Sequence, residues 1–284
     1  SDRRILLRTI PDAIFIRPRG SEARAGDVIL SCAQRLGPAE LGILAALGHC
    51  NPLVGGRPRV AHLVLGSELV DPGCSPACGQ IRDSNSILIR SLLHENGAEP
   101  VFHRRLADDP EAIRFAINAS ASISDMLLIS GGASVGDHDH SRSCLREMGY
   151  DFAFEGLHLR PGKPSAIAFR ENHMAICLPG NPVAHLVVFH LMVRPILENL
   201  AGATNSRPVF YHAPLLESLP GKSNSRHTFW PAVHGPDGLH LLRFLSSGDI
   251  LALAGVNAMI SLEPDSALPR VGSAVPFLPL HPPS

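Results

Sequence analysis

The sequence predicts a three-layer α/β domain followed by a small all-β domain, on three observations. Strand-like and helix-like segments alternate from residue 59 to 202. The run Met126–Ser130 is apolar throughout, as in a sheet buried on both faces. After residue 203 the helical period disappears, and Pro and Gly punctuate short apolar stretches such as Leu239–Phe244 and Ala258–Leu262. Three parts follow: 1–58, 59–202 and 203–284.

In the first part, a short β-rich piece precedes a helix. Leu41–Leu47 is apolar, with Pro38 at its start and Gly48 at its end. Arg57-Pro58 is the expected boundary. Arg59–Leu65 reads as a strand. Ser84–Asn96 reads as a helix with Asp83 or Ser84 at its cap and Gly97 as its stop. Pro100–Leu106 reads as a strand, and Asp109-Pro110-Glu111 opens a helix with a cap, a first-turn proline and an acid at the positive end of the dipole. A further helix is expected near Ser141–Met148, then strands at Ala153–Leu159, Ala166–Phe169 and Met174–Cys177. A long helix starts at Asn181-Pro182 and stops at Gly202, with a kink expected at Pro195. The alternation predicts a largely parallel sheet.

Composition excludes several classes of function. The chain has 284 residues, 45% hydrophobic, and a net charge of -1. There is no global pull toward nucleic acid or an anionic membrane, so any anion must be bound by a local site. The apolar stretch Leu186–Leu200 is interrupted by His190, Arg194 and Glu198, too polar for a membrane span. Ser1–Arg8 is charged and lacks the apolar core of a signal peptide. The expected location is cytoplasmic, with no nucleic-acid and no membrane partner.

Six cysteines are present, and only Cys74 and Cys78 are close in sequence. Without a second Cys or His pair at ligand spacing, they read as reduced thiols rather than a zinc site. Of 25 Lys and Arg residues, only Lys163 and Lys222 are lysine.

In open α/β sheets, ligands bind beyond the carboxyl ends of the strands. Three loops are expected near such ends. Gly131-Gly132-Ala133-Ser134-Val135-Gly136-Asp137-His138-Asp139 directly follows Met126–Ser130. Its glycines let main-chain N–H groups cradle a phosphate, Ser134 adds a donor, and Asp137 and Asp139 suit a hard cation beside it. Arg160-Pro161-Gly162-Lys163-Pro164 presents two cations in a loop stiffened by two prolines. Leu178-Pro179-Gly180-Asn181-Pro182 aims a helix N-terminus at the same sheet edge. Asp83 reads equally as a helix cap and as a cleft acid that binds metal. Each loop alone reads as well as a plain turn or cap. Together they describe a site for an anionic ligand with a divalent cation.

These residues, with Gln80-Ile81-Arg82-Asp83-Ser84-Asn85, stand in the order and spacing of one family. The chain resembles the MoeA/gephyrin-E family, the molybdopterin molybdenumtransferases. The resemblance spans about residues 14 to 262, taking in Arg17-Pro18-Arg19-Gly20, Gly26-Asp27, and Arg57-Pro58-Arg59-Val60 leading into Gly66-Ser67-Glu68-Leu69. It implies a molybdopterin-binding, MogA-like central domain and a C-terminal β-barrel-like domain. It also makes residues 1–58 a remnant of a linker domain, behind an N-terminal part that family members carry and this chain lacks.

The reaction implied is insertion of molybdate into adenylylated molybdopterin, with Mg²⁺-dependent release of AMP, in a homodimer. By the same resemblance, Asp139, Asp83 and Lys163 are catalytic, and Asp137, Asp139 and Asp83 hold the metal. Gly131, Gly132, Ser134, Gly136, Pro161, Pro164, Pro179, Gly180 and Asn181 contact the pterin and its phosphate. Arg160, Arg226 and Ser246 or Ser247 contact molybdate. Two departures point to a second reading, a non-catalytic pterin carrier. Leu65-Gly66-Ser67-Glu68-Leu69 stands where the family has Thr-Gly-Asp-Glu-Leu, and Ala184 stands where it has serine. A third reading, a molybdopterin adenylyltransferase, fits less well because such proteins normally lack the C-terminal β domain.

Overall fold

The computed structural model describes residues 17–132, 140–204, 206–221 and 223–281. Two compact units meet between Leu53 and Val54. The first contains helix α1 (Pro38–Ala46), which buries none of its own residues. Its start is closed by Glu40, whose carboxylate accepts the Gly37 main-chain N–H at 2.9 Å. Gly48, at φ +80°, follows its end.

The second unit contains, in order, β1 (Arg59–Leu65), β2 (Leu69–Val70), β3 (Ile81–Arg82), α2 (Asn85–Glu95), β4 (Glu99–Leu106), α3 (Pro110–Ala121), β5 (Met126–Ser130) and α4 (His140–Glu147). Next come β6 (Asp151–Glu155), β7 (Leu159–Arg160), β8 (Ala166–Arg170), β9 (His173–Leu178), α5 (Pro182–Val188) and α6 (Arg194–Leu200). Strands β10 (Tyr211–Pro214), β11 (His227–Gly235), β12 (Gly238–Leu241), β13 (Ala258–Leu262) and β14 (Ala274–Pro279) complete it.

The main sheet has the order β4-β1-β5-β9-β8-β6. Strands β4, β1, β5 and β9 are parallel to one another, whereas β8 and β6 run antiparallel. The sheet is therefore mixed rather than largely parallel. Only Glu171 and Asn172 separate β8 from β9, and Glu171 has φ +54°. A two-residue turn makes a hairpin, while a parallel return needs a crossover of about a dozen residues or more.

Alternation along β1 divides two cores. Ala61, Leu63 and Leu65 pack with Ile113 and Ile117 of α3 and Leu145 of α4. On the other face, Val60 packs with Ile89 and Leu93 of α2 and Val187 of α5. Helices thus cover both faces, giving three layers. Helix α3 starts as expected, with the Asp109 carboxylate accepting the Glu111 N–H at 3.0 Å.

The stretch expected as one strand, Ala153–Leu159, is divided. Strand β6 ends at Glu155, Gly156 takes φ +106°, and β7 leaves the main sheet to pair in parallel with β11. The last helix also differs in detail. A π turn, Phe189–Val193, lies between α5 and α6, immediately before Pro195. Proline has no N–H for the preceding turn, and a wider turn accommodates the missing donor. The span Pro182–Leu200 is long and apolar enough to cross a membrane by composition, yet every residue of α5 is buried in the protein core.

Strands β10-β14-β13-β11-β12 form an antiparallel sheet in that order. One of its faces closes over Leu215, Leu239, Ile260 and Phe277. Phe229, Met259 and Leu278 belong instead to the core that contains Val187 and Phe189. A single apolar core therefore joins the helical layer to the β sheet, and that packing sets the loops of both side by side.

Candidate functional site

All four parallel strands end at one cleft of about 720 Å³. Leu65 and Gly66 close β1, Asp108 follows β4, Ser130 and Gly131 end β5, and Gly180 and Asn181 follow β9; all line the cleft. Gly132, Ser84, Asn85 and, from the β-sheet side, Gly248 and Ile250 also line it. Gly131 takes φ +82° and its N–H meets the Leu178 carbonyl at 3.3 Å. A Cβ there would lie 2.3 Å from the Leu65 carbonyl oxygen. The turn can therefore pass between the ends of β1 and β9 only as glycine. Gly132 repeats the condition, with φ +65° and the Leu65 side chain 2.8 Å from a Cβ position.

A second cleft, of about 810 Å³, gathers Arg160, Pro161, Gly162, Lys163, Pro164, Pro179, Asn181, Ala184, Arg226, Ser246 and Ser247. Trp230 and Phe244 form an edge-to-face aromatic wall beside them, their centroids 5.2 Å apart. The cation-bearing loop is held from behind: Arg142 Nη2 donates to the Pro164 carbonyl at 2.8 Å, and the Leu157 N–H to the Lys163 carbonyl at 2.8 Å. Arg160 and Lys163 remain exposed. Arg226 reaches the Leu159 carbonyl at 3.5 Å, so the β sheet supplies the third cation. Among the described residues of the lining, three cations face one acid, Glu263. That excess suits a small oxyanion.

Asn181 lines both clefts. Its side-chain N–H donates to Ser247 Oγ at 2.7 Å, and the Val183 N–H meets the Ser247 carbonyl at 3.3 Å. The Pro179–Asn181 turn and the 246–247 loop are stitched together at the border.

The sequence-predicted residues thus fall into groups. Gly131, Gly132 and Gly180 line the first cleft; Arg160, Pro161, Lys163, Pro164, Pro179, Arg226 and Ser246 line the second; Asn181 lines both. Ser134, Gly136, Asp137 and Asp139 lie outside the described residues. Asp83 departs from the cleft-acid expectation. It is 3% exposed, and its carboxylate accepts the Ser86 N–H at 3.0 Å and the Ser86 hydroxyl. It satisfies the first turn of α2 from the residue before the N-cap Ser84, and it is not among the residues that line the cleft.

Two other acids line the first cleft, Glu68 and Asp108. Asp108 is joined to Ser67: its Oδ2 lies 3.3 Å from both the Ser67 N–H and hydroxyl, and its N–H donates back to Ser67 Oγ at 3.2 Å. A carboxylate thus stands beside the position where the family motif has its aspartate. Sequence reading passed over Asp108 because its neighbour Asp109 carried the cap signal. Among the described residues, no group of three His, Cys, Asp or Glu is placed to hold a metal ion. The described acids do not complete a Mg²⁺ set.

Known proteins resemble this chain in sequence and in fold. Residues 61–199 match the family described as "Probable molybdopterin binding domain". The chain is 33% identical over 270 residues to a molybdopterin molybdenumtransferase of Nostoc, covering 92% of this chain and 62% of that protein. It is 35% identical over 187 residues to the Haemophilus influenzae protein of the same name, covering 66% and 46%. This chain therefore spans about half to three fifths of the length of these relatives.

Among solved structures, the molybdopterin biosynthesis moeA protein of Pyrococcus horikoshii superposes with a TM-score of 0.75 at 24% identity, over 92% of this chain and 63% of that one. A molybdenum cofactor biosynthesis protein of Pyrococcus furiosus gives 0.70 at 25% identity, over 92% and 82%. These likenesses carry the fold. Over the part of their length that it spans, the chain is similar in sequence to proteins named molybdopterin molybdenumtransferase, and residues 61–199 match a probable molybdopterin binding domain.

Proposed function

We propose that this chain acts in molybdenum cofactor biosynthesis by bringing adenylylated molybdopterin and molybdate together across Asn181. The observation that carries this reading is the pair of clefts sharing that residue, one walled by Gly131 and Gly132 at the strand ends, the other by Arg160, Lys163 and Arg226. Main-chain N–H groups of the glycine turn and the start of the helix at Pro182 would take the substrate's phosphate. The three cations would hold molybdate as a dianion, close to the dithiolene sulfurs that receive the metal. Release of AMP leaves the loaded pterin behind. The Mg²⁺ dependence expected of this reaction would rest on Asp137 and Asp139. A homodimer and a cytoplasmic location belong to the same reading.

Purified chain given Mg²⁺, molybdate and adenylylated molybdopterin should release AMP. Lys163→Gln removes one charge-assisted contact and should lower that rate roughly tenfold to a hundredfold. Ala184, buried beside the second cleft, offers no hydroxyl there and favours a carrier without activity. Pterin bound without AMP release would establish the carrier. Neither binding nor release would overturn both readings. The adenylyltransferase reading has no use for a β sheet that supplies Arg226 and Ser247 to a cleft.

A further inference from the structure

Behind the strand ends lies a buried polar chain that the proposed reaction leaves unused. His62 is 3% exposed and lies on the face of β1 that carries Val60 and Val64. His185 in α5 and Ser130 at the end of β5 are both fully buried. Ser130 Oγ lies 2.7 Å from Nε2 of His62 and 2.7 Å from Nε2 of His185. His185 Nδ1 lies 3.0 Å from the main-chain carbonyl oxygen of Asn181.

Chemistry orders the protons. A carbonyl oxygen only accepts, so Nδ1 of His185 donates. Burial pushes His185 down to about 4, against the opposing pull of the Asn181 carbonyl and Asp83, so its ring is neutral at pH 7 and carries one proton. Its Nε2 must then accept, and the Ser130 hydroxyl donates to it. The Ser130 oxygen in turn receives the Nε2–H of His62, itself held neutral by burial and by the neighbouring His103, His185 and Arg90. Each proton points from His62 toward Asn181.

Three mutually satisfied polar groups in a core where apolar side chains would pack as well imply a demand for one fixed arrangement. The chain ends where such an arrangement matters. The Asn181 carbonyl also accepts the His185 main-chain N–H at 3.0 Å, while the Asn181 side chain reaches Ser247. We propose that His185 is a positioning residue for the oxyanion cleft: oriented by Ser130 and His62, it holds the Asn181 peptide so that the side chain keeps its bond to Ser247 between the two clefts. This role rests on the reading of the second cleft as the molybdate site.

The two halves of the ring are separable. His185→Asn places an amide N–H where Nδ1 stands and keeps the bond to Asn181. His185→Gln places an amide where Nε2 stands and keeps only the bond to Ser130. With molybdate alone as the probe in isothermal titration, His185→Gln should weaken binding about fivefold, the loss of one neutral hydrogen bond, whereas His185→Asn should stay within about twofold of the wild type. Imidazole ¹⁵N spectra of the wild type at pH 7 should show His185 protonated on Nδ1 and His62 on Nε2. The opposite tautomers, or equal affinities for the Gln and Asn variants while the wild type still binds molybdate, would overturn this role alone. A wild type that binds no molybdate would overturn the oxyanion reading and this role with it.

Discussion

Gly131→Ala is expected to destabilise the second unit by about 3 kcal/mol or more and to abolish pterin binding. Two separate costs meet at this position. The main chain has φ +82°, which a side chain resists, and the added Cβ would stand 2.3 Å from the Leu65 carbonyl oxygen. That oxygen belongs to the end of β1, which is paired on both sides by β4 and β5 and cannot shift alone. The turn must therefore move, and with it the wall that Gly131 and Gly132 give the first cleft. Urea unfolding and pterin titration of the variant measure both effects. Wild-type stability with wild-type affinity would show that the turn has room the packing denies it.

Acid is expected to weaken the fold well above the range in which carboxylates protonate. Burial pushes His185 down to about 4, and burial with Arg194 and His281 pushes His190 down to about 3. Both remain neutral in the folded chain, while in the unfolded chain they take up protons near pH 6.5. The unfolded state therefore binds more protons below pH 6.5. Stability is complete above that value and is lost as pH falls from 6.5 toward about 4. From pH 7 to pH 5 the two groups together account for about 4 kcal/mol. Burial lowers His62 as well and adds in the same direction. His190 has a buried Nδ1 with no hydrogen-bond partner among the described residues, so His190→Leu should remove its share and flatten the pH dependence by about half of that figure. Urea midpoints measured at pH 7 and pH 5 report it. Equal midpoints at the two values would contradict the burial of these rings in neutral form.

Local signals were the readable part of this chain. Asp109-Pro110-Glu111 opens α3 where the cap and proline chemistry places it, and Ala258–Leu262 is a strand over those residues. Gly131 and Gly132 were legible at the end of β5 because a strand end and paired glycines are adjacent in sequence; the rest of that loop lies outside the described residues. What escaped were facts set by long-range pairing. The two-residue turn at Glu171 was present in the sequence, but two short apolar runs do not announce whether they return in parallel. Leu159–Arg160 joins a strand nearly seventy residues away, His227–Thr228, and nothing local marks it. Asp83 had two readings, cap and cleft acid, and only its burial against Ser86 separates them. His62 and His185 each stand alone in an apolar run, with nothing local to pair them. Their shared partner, Ser130, is 68 residues from one and 55 from the other.

The most direct test is a crystal of the chain soaked with tungstate, whose anomalous signal marks an oxyanion of molybdate's shape and charge. A single dominant peak enclosed by Arg160, Lys163 and Arg226, within reach of Asn181, is the expected result. A well-occupied peak elsewhere, with that cleft empty at saturating tungstate, would contradict the assignment of the two clefts and the function built on them.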